Sequence, residues 1–423
     1  MSAFERLPEI DNGLLRFLTC GSVDDGKSTL IGRLLFDSKA ILADTLSAIT
    51  RTSQRRGMEA VDLSLLTDGL QAEREQGITI DVAYRYFSSG KRKYIVADAP
   101  GHEQYTRNMV TAASTASLAI ILIDARRGVL TQTRRHSYIA HLLGIPHIVV
   151  AVNKMDLVGH SQLRFEAIKA DFLAFASQLG IREPQFIPIS ALNGDMIVDR
   201  GENLDWYRGA TLFEMLESAP SAHSETDDRL RFPVQYVCRP QSEEHHDFRG
   251  YMGRLESGEI SIGDSVMVLP AGHKTRVRDI QIMGRSQPRA IAEQSVTLLL
   301  DDEIDISRGD MIVKPDEAPR NAREIEAMVC WLGEAPLDPG RKYLLRHTTR
   351  ETLARVAGIS HRLDLNTLER HAAALLRTND IARVRFKLAQ GLCVDSYAEN
   401  RSTGAFIVID EATNNTVGAG MIL

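Results

Sequence analysis

Eight consecutive residues, Gly21-Ser22-Val23-Asp24-Asp25-Gly26-Lys27-Ser28, carry the first recognisable chemistry in the chain. Two glycines separated by four residues and followed by Lys-Ser fit the pattern G-x-x-x-x-G-K-[ST]. In that pattern a tightly curled backbone aims several N–H groups at phosphate oxygens. Glycine at 21 and 26 permits the curl, and Lys27 neutralises charge on the β- and γ-phosphates. The Ser28 hydroxyl is suited to ligating Mg²⁺, and Thr29 continues the turn. The N-terminus of the helix that follows adds favourable potential for an anion. A chance match to this pattern in a chain of this length is on the order of 1–2%.

Two further groups complete a nucleotide site. Asp98-Ala99-Pro100-Gly101-His102 ends an apolar run and fits D-x-x-G. A strand-end Asp98 there holds a water on Mg²⁺, and the Gly101 N–H can bind the terminal phosphate. Asn153-Lys154-Met155-Asp156 fits N-K-x-D. The Asp156 carboxylate can accept from guanine N1–H and the N2 amino group, a pair that adenine lacks, and leaving it unpaired costs on the order of 1–3 kcal/mol or more. Asn153 braces the loop and the Lys154 stem covers the base. Ser190-Ala191-Leu192 supplies backbone N–H groups towards guanine O6. Four signals in this order point to GTP.

Such groups need a scaffold that ends several strands in one crevice. Apolar runs at 14–20, 94–98, 118–124, 147–152 and 185–189 read as strands, and amphipathic stretches at 27–36, 103–113, 131–143 and 162–178 as helices between them. Strands rich in Ile and Val with helical crossovers predict a mainly parallel sheet, covered on both faces, with ligands at the carboxyl ends of its strands. Residues 221–228 are polar and read as a linker. Beyond Phe232 the pattern becomes short strands with Gly253, Gly258 and Gly263-Asp264 as turns, and a second β unit starts near Arg320. The expected organisation is therefore an α/β P-loop G domain (1–220) followed by two all-β barrel domains (229–318 and 319–423). Residues 359–366 are left unassigned.

Composition narrows the class. The 423 residues carry a net charge of -6 with 43% hydrophobic residues, so no polycationic footprint for nucleic acid is present. The four cysteines are scattered and read as reduced thiols. No secretory leader and no membrane-length apolar run is evident, so the expected location is the cytoplasm. Arg51, Arg55, Arg56, Arg126-Arg127 and Arg134-Arg135 read as solvated helix faces, and His245-His246-Asp247 as a loop rather than a metal cluster.

Glu73-Arg74-Glu75-Gln76-Gly77-Ile78-Thr79 resembles switch I of the translational GTPases, with their E-R-x-x-G-I-T motif. The resemblance implies that Thr79 ligates Mg²⁺ and contacts the γ-phosphate, and that His102 positions the attacking water. It also implies that Val23 and Ile78 form an apolar gate for His102, and that Asp24 helps hold a monovalent cation. More narrowly, residues 68–87, residues 30–39, Asn400-Arg401-Ser402-Thr403-Gly404 with the strand after it, and Thr416-Val417-Gly418-Ala419-Gly420 resemble the GTPase subunits of bacterial sulfate adenylyltransferase. That likeness spans essentially the whole chain. It implies a smaller catalytic partner subunit that joins ATP and sulfate into adenylyl sulfate and pyrophosphate, driven here by GTP hydrolysis. In keeping with that division, neither S-G-G-x-D-S nor H-x-G-H occurs in the sequence, and no fused adenylyl-sulfate kinase domain is expected here. The alternative is an elongation factor that carries aminoacyl-tRNA. The motifs from Gly21 to Leu192 are common to both; residues 68–87 and the C-terminal pattern favour the sulfate enzyme.

Overall fold

The computed structural model describes residues 13–39, 41, 43–55, 61–66, 81–102, 105–181, 183–220, 228–240, 248–364 and 367–423. The chain divides into two compact units, Met1–Ser224 and Glu225–Leu423.

Among the described residues the first unit holds one six-stranded sheet, formed by β1 (Leu14–Cys20), β2 (Ala83–Ser88), β3 (Lys93–Asp98), β4 (Leu118–Asp124), β5 (His147–Asn153) and β6 (Gln185–Pro188). Their spatial order is β2-β3-β1-β4-β5-β6, parallel except for the edge strand β2. Every residue of the central β4, Leu-Ala-Ile-Ile-Leu-Ile-Asp, is buried, so both faces of the sheet are covered. The unit's helices are α1 (Lys27–Asp37), α2 (Ala43–Arg55), α3 (Thr106–Ala113), α4 (Thr131–Leu142), α5 (Gln162–Leu179) and α6 (Leu212–Ser218), and α1, α3 and α4 pack directly on the sheet. The start of the helix expected at 103 falls partly outside the described residues. Neither β2 nor α6 stood out in the apolar pattern. The signal for α6 is its capping box: Glu214 N–H donates to Thr211 Oγ1 (3.2 Å) and Thr211 N–H to Glu214 Oε2 (2.7 Å).

The second unit is all β. Its first sheet takes strands from β7 (Phe232–Pro233), β8 (Tyr236–Cys238), β9 (Gly250–Arg254), β11 (Ser265–Leu269), β12 (His273–Ile282), β13 (Arg285–Ser286), β15 (Ser295–Leu300) and β16 (Met311–Val313). The short β10 (Glu259–Ser261) and β14 (Arg289–Ile291) pair beside it. This sheet curls around a core that includes Phe232, Tyr251, Val266, Ile280 and Leu298. The second sheet runs β18 (Lys342–His347), β22 (Ala405–Asp410), β23 (Thr416–Ile422), β17 (Arg320–Trp331), β21 (Ile381–Val394), β19 (Arg350–Leu363), with β20 (Arg370–His371) at the margin of β19. Pairing of β18 with β19 closes it into a barrel around Trp331, Tyr343, Phe386 and Phe406. Residues 359–363, unassigned from sequence, continue β19. Register shifts at Val356/Gly358 and Ile359/His361 break the alternation that would have revealed them.

Gly253 corrects one turn expectation. It lies inside β9, where a Cβ would sit 2.5 Å from the Pro233 carbonyl oxygen, so it serves close packing. Gly258 and Gly263 have φ of 72° and 89°, as turn glycines do.

The two β sheets meet at a buried polar joint. Arg231, fully buried, donates through Nε and Nη2 to the two oxygens of Asp395 at 2.8 and 2.9 Å. Thr403 Oγ1 donates to the same carboxylate, and Asn400 Nδ2 donates to Ser257 Oγ at 2.8 Å. Gly404 is required here, since a Cβ would fall 2.4 Å from the Tyr397 Cα. Residues 400–404 thus act as a corner that fastens one sheet to the other.

Candidate nucleotide site

The phosphate loop leaves β1 at Gly21 and enters α1 at Gly26, whose φ of 92° is left-handed. A Cβ on Gly26 would lie 2.4 Å from Asn153 Nδ2, so the space as well as the backbone angle demands glycine. Lys27 is buried, and its Nζ donates to the carbonyls of Gly21 (3.1 Å) and Ser22 (2.8 Å). Burial draws its ammonium pKa down, opposed by Asp98 and Asp25. Ser28 and Thr29 follow on α1, both half-buried, as is Val23 in the loop. Asp25 is buried, and its Oδ2 accepts the Ser22 N–H at 2.6 Å. Burial pushes its carboxyl up to about 6, against the pull of Lys27. Its Oδ1 and the Ser22 Oγ are buried without a hydrogen-bond partner.

The D-x-x-G turn packs directly on this loop. Asp98 ends β3 opposite Thr19 of β1, and Thr19 Oγ1 donates to Asp98 Oδ1 at 3.3 Å. A Cβ on Gly101 would stand 2.6 Å from Lys27 Nζ and 3.0 Å from the Val23 nitrogen. Nothing larger than glycine lets this turn approach so closely. His102 is exposed next to it, its ring 6.1 Å from that of Tyr105. Thr79 and Ile78 lie outside the described residues, as do residues 68–77 and the His245-His246-Asp247 group.

At the base end, one side chain joins three loops. Asn153 Nδ2 donates to the Asp25 carbonyl (2.8 Å), and Asn153 Oδ1 accepts the Ala191 N–H (3.0 Å). The Ala191 N–H, read from sequence as a donor to guanine O6, therefore serves this brace. Asp156 accepts from Ser190 Oγ at 2.7 Å. Lys154 has the left-handed φ of 62°; its Nζ contacts Asp124 Oδ2 (3.0 Å) and the Asp24 carbonyl, which fixes its stem. Leu192 is exposed.

Three residues that the motifs did not single out hold these loops. Asp124 ends β4 in register with Asn153. Burial opposes its ionisation, yet hydrogen bonds from the Arg126 side chain and N–H and from Lys154 keep its carboxyl well below the usual range. Arg126 is thus a partner of Asp124, not simply part of a solvated face. Arg33 on α1 donates to the Ala191 carbonyl at 3.3 Å and to that of Leu192. A strand-end Asp followed by Ala-Arg was the available signal for Asp124; Arg33, mid-helix, gave none.

A phosphate loop, a glycine turn seated on it and an N-K-x-D loop tied to the phosphate loop define a P-loop GTP-binding domain. The sequence pattern of the elongation factor Tu GTP binding domain matches residues 12–221, and that of the GTP-eEF1A C-terminal domain matches 324–423. A sulfate adenylyltransferase subunit 1 from Cellvibrio japonicus is 55% identical over 412 residues, covering 97% of this chain and 86% of that protein. One from Alteromonas mediterranea is 54% identical, covering 97% and 87%. A bifunctional enzyme CysN/CysC of Mycobacterium tuberculosis is 52% identical, covering 97% of this chain and 67% of that protein. The chain belongs to the sulfate adenylyltransferase subunit 1 family, GTPases of the elongation factor Tu type, and the elongation-factor alternative is set aside.

Proposed function

We propose that this chain binds GTP with Mg²⁺ and hydrolyses it. We further propose that hydrolysis drives a smaller catalytic subunit, in the cytoplasm, to make adenylyl sulfate and pyrophosphate from ATP and sulfate. The observation that supports the GTP site most directly is the Asn153 brace, which links the phosphate loop, the N-K-x-D loop and the 190–192 loop through two hydrogen bonds.

Each residue has a role in this reading. Gly21, Val23, Asp24, Asp25 and Gly26 shape the phosphate loop, and the buried Ser22 Oγ, without a protein partner, is a polar group a ligand can satisfy. Lys27 meets the phosphates. Asp156 selects guanine, with Lys154 and residues 190–192 flanking the base. Gly101 senses the terminal phosphate, and His102, exposed beside it, orients the attacking water. Mg²⁺, when bound, neutralises phosphate charge. Ser28 and Thr79 would offer Mg²⁺ two protein oxygens and Asp98 would hold one of its waters, in keeping with an ion that takes the rest of its ligands from phosphates and water. No helix among the described residues is long and apolar enough to cross a membrane. We assign domains to 1–220, 229–318 and 319–423.

The test is to purify the chain with its catalytic subunit and assay adenylyl sulfate formation with GTP and with GDP. Synthesis well above the GDP level is expected. A complex indifferent to GTP, or retention of aminoacyl-tRNA by the isolated chain, would overturn the reading.

A further inference from the structure

We propose that the outer face of β18, β19 and β21 is a docking surface for an acidic patch on the catalytic partner subunit; this rests on the functional reading above. The face carries a row of three cations. Lys342 of β18 is directly opposite Arg355 of β19, which is directly opposite Lys387 of β21. All three are exposed, while the alternate positions Tyr343, Ala354 and Leu388 face the barrel core. Directly opposed residues of antiparallel neighbours project from the same face, and strands lie about 4.8 Å apart, so the row spans roughly 10 Å.

Like charges set opposite one another destabilise a sheet. Elsewhere on this face such charges are neutralised. Arg346 pairs with Glu351, and Arg383 with Glu326 at 2.6 Å. Glu324 lies opposite Lys387, yet its carboxylate is near Arg385, with Oε1 3.8 Å from Arg385 Nε. Among the described residues no ion pair or hydrogen bond engages the Lys342, Arg355 or Lys387 side chains. A fold that pairs its neighbouring charges but leaves this row open retains it for an external anion.

The chemistry favours an acidic protein surface over nucleic acid. Glu324 ends the row beyond Lys387 and Glu326 sits in the adjoining one, and both would repel a continuous phosphate backbone. No Phe, Tyr or Trp side chain among the described residues of this barrel is exposed for base stacking, and the chain as a whole has a net charge of -6. Cations flanked by carboxylates give a protein interface its orientation and speed its association.

The experiment measures binding of the full chain to the catalytic subunit by calorimetry at low and high salt. The variant Lys342→Ser/Arg355→Ser/Lys387→Ser is compared with wild type and with the control Arg346→Ser/Glu351→Ser. The row variant is expected to bind about 10-fold more weakly at low salt, with a flatter salt dependence and unchanged GTP affinity. It should melt no lower than wild type, because it removes a repulsion; the control should bind as wild type does. Equal binding and equal salt dependence for the row variant overturn this surface alone. Loss of RNA retention with partner binding unchanged overturns it in favour of nucleic acid. Failure of the wild-type chain to bind the subunit overturns the functional reading as well.

Discussion

Two buried asparagines, one in each unit, do the same mechanical work in different surroundings. Asn153 donates to the Asp25 carbonyl at 2.8 Å and accepts the Ala191 N–H at 3.0 Å. Asn400 donates to Ser257 Oγ at 2.8 Å and accepts the Thr403 N–H at 3.0 Å. Around Asn400 the remaining polar atoms are closed off: both oxygens of Asp395 are held by Arg231 and Thr403, and Ser257 Oγ donates to the Arg229 carbonyl. Around Asn153 they are not, since Ser22 Oγ and Asp25 Oδ1 are buried without a partner. A joint saturates its hydrogen bonds, whereas a binding loop keeps some unfilled for its ligand.

The largest effect should come from opening the saturated joint. Asp395→Ala strands the buried Arg231 guanidinium and should cost about 3–5 kcal/mol in the second unit. Denaturant unfolding followed through the buried Trp331, with Trp206→Phe to silence the first unit, reads this directly. An unchanged midpoint would mean that the ion pair is not holding the sheets together. GTP affinity should stay as in wild type.

Asn153→Ala should act the other way round, on binding more than on folding. Removing both hydrogen bonds releases the phosphate loop from the base loop, and GTP and GDP affinities should fall roughly 10²-fold, about 2–3 kcal/mol. Nucleotide titration checks it; wild-type affinity would show the loops to be independently held.

Asp25→Asn gives the smallest effect and carries a pH sign. Because the folded-state carboxyl titrates near 6, above its ordinary range, the fold favours the protonated form. Stability is therefore lost as pH rises from about 4 to about 6, and the deficit persists above that. The amide keeps an acceptor for the Ser22 N–H and cannot ionise, so the variant should be stabler by roughly 2 kcal/mol at pH 8 and little changed near pH 4. A gain independent of pH would point to packing rather than charge.

Much of the site was legible because its chemistry forces residue types at fixed spacing, as at Gly21, Gly26, Lys27 and Asp156. The sheet was legible because its strands are uniformly apolar. What escaped were residues that act on other residues. Arg33 and Asp124 touch loops distant in sequence, and no local pattern encodes such partnerships. The edge strand β2 was hidden by its half-exposed alternation, and the far half of β19 by its bulges. Residues 400–404 were readable only as a likeness; their role as a corner depends on Ser257 and Arg231, more than 140 residues away in sequence.

The most direct test of the central claim is nucleotide choice in the coupled reaction. Asp156→Asn replaces an acceptor for guanine N1–H with an amide that can donate to xanthine O2. In the purified complex, adenylyl sulfate synthesis by the wild type should respond to GTP and not to xanthosine triphosphate, and synthesis by the variant should respond in the reverse order. A variant complex still driven by GTP, and indifferent to xanthosine triphosphate, would contradict the assignment of this site as the one that powers the reaction.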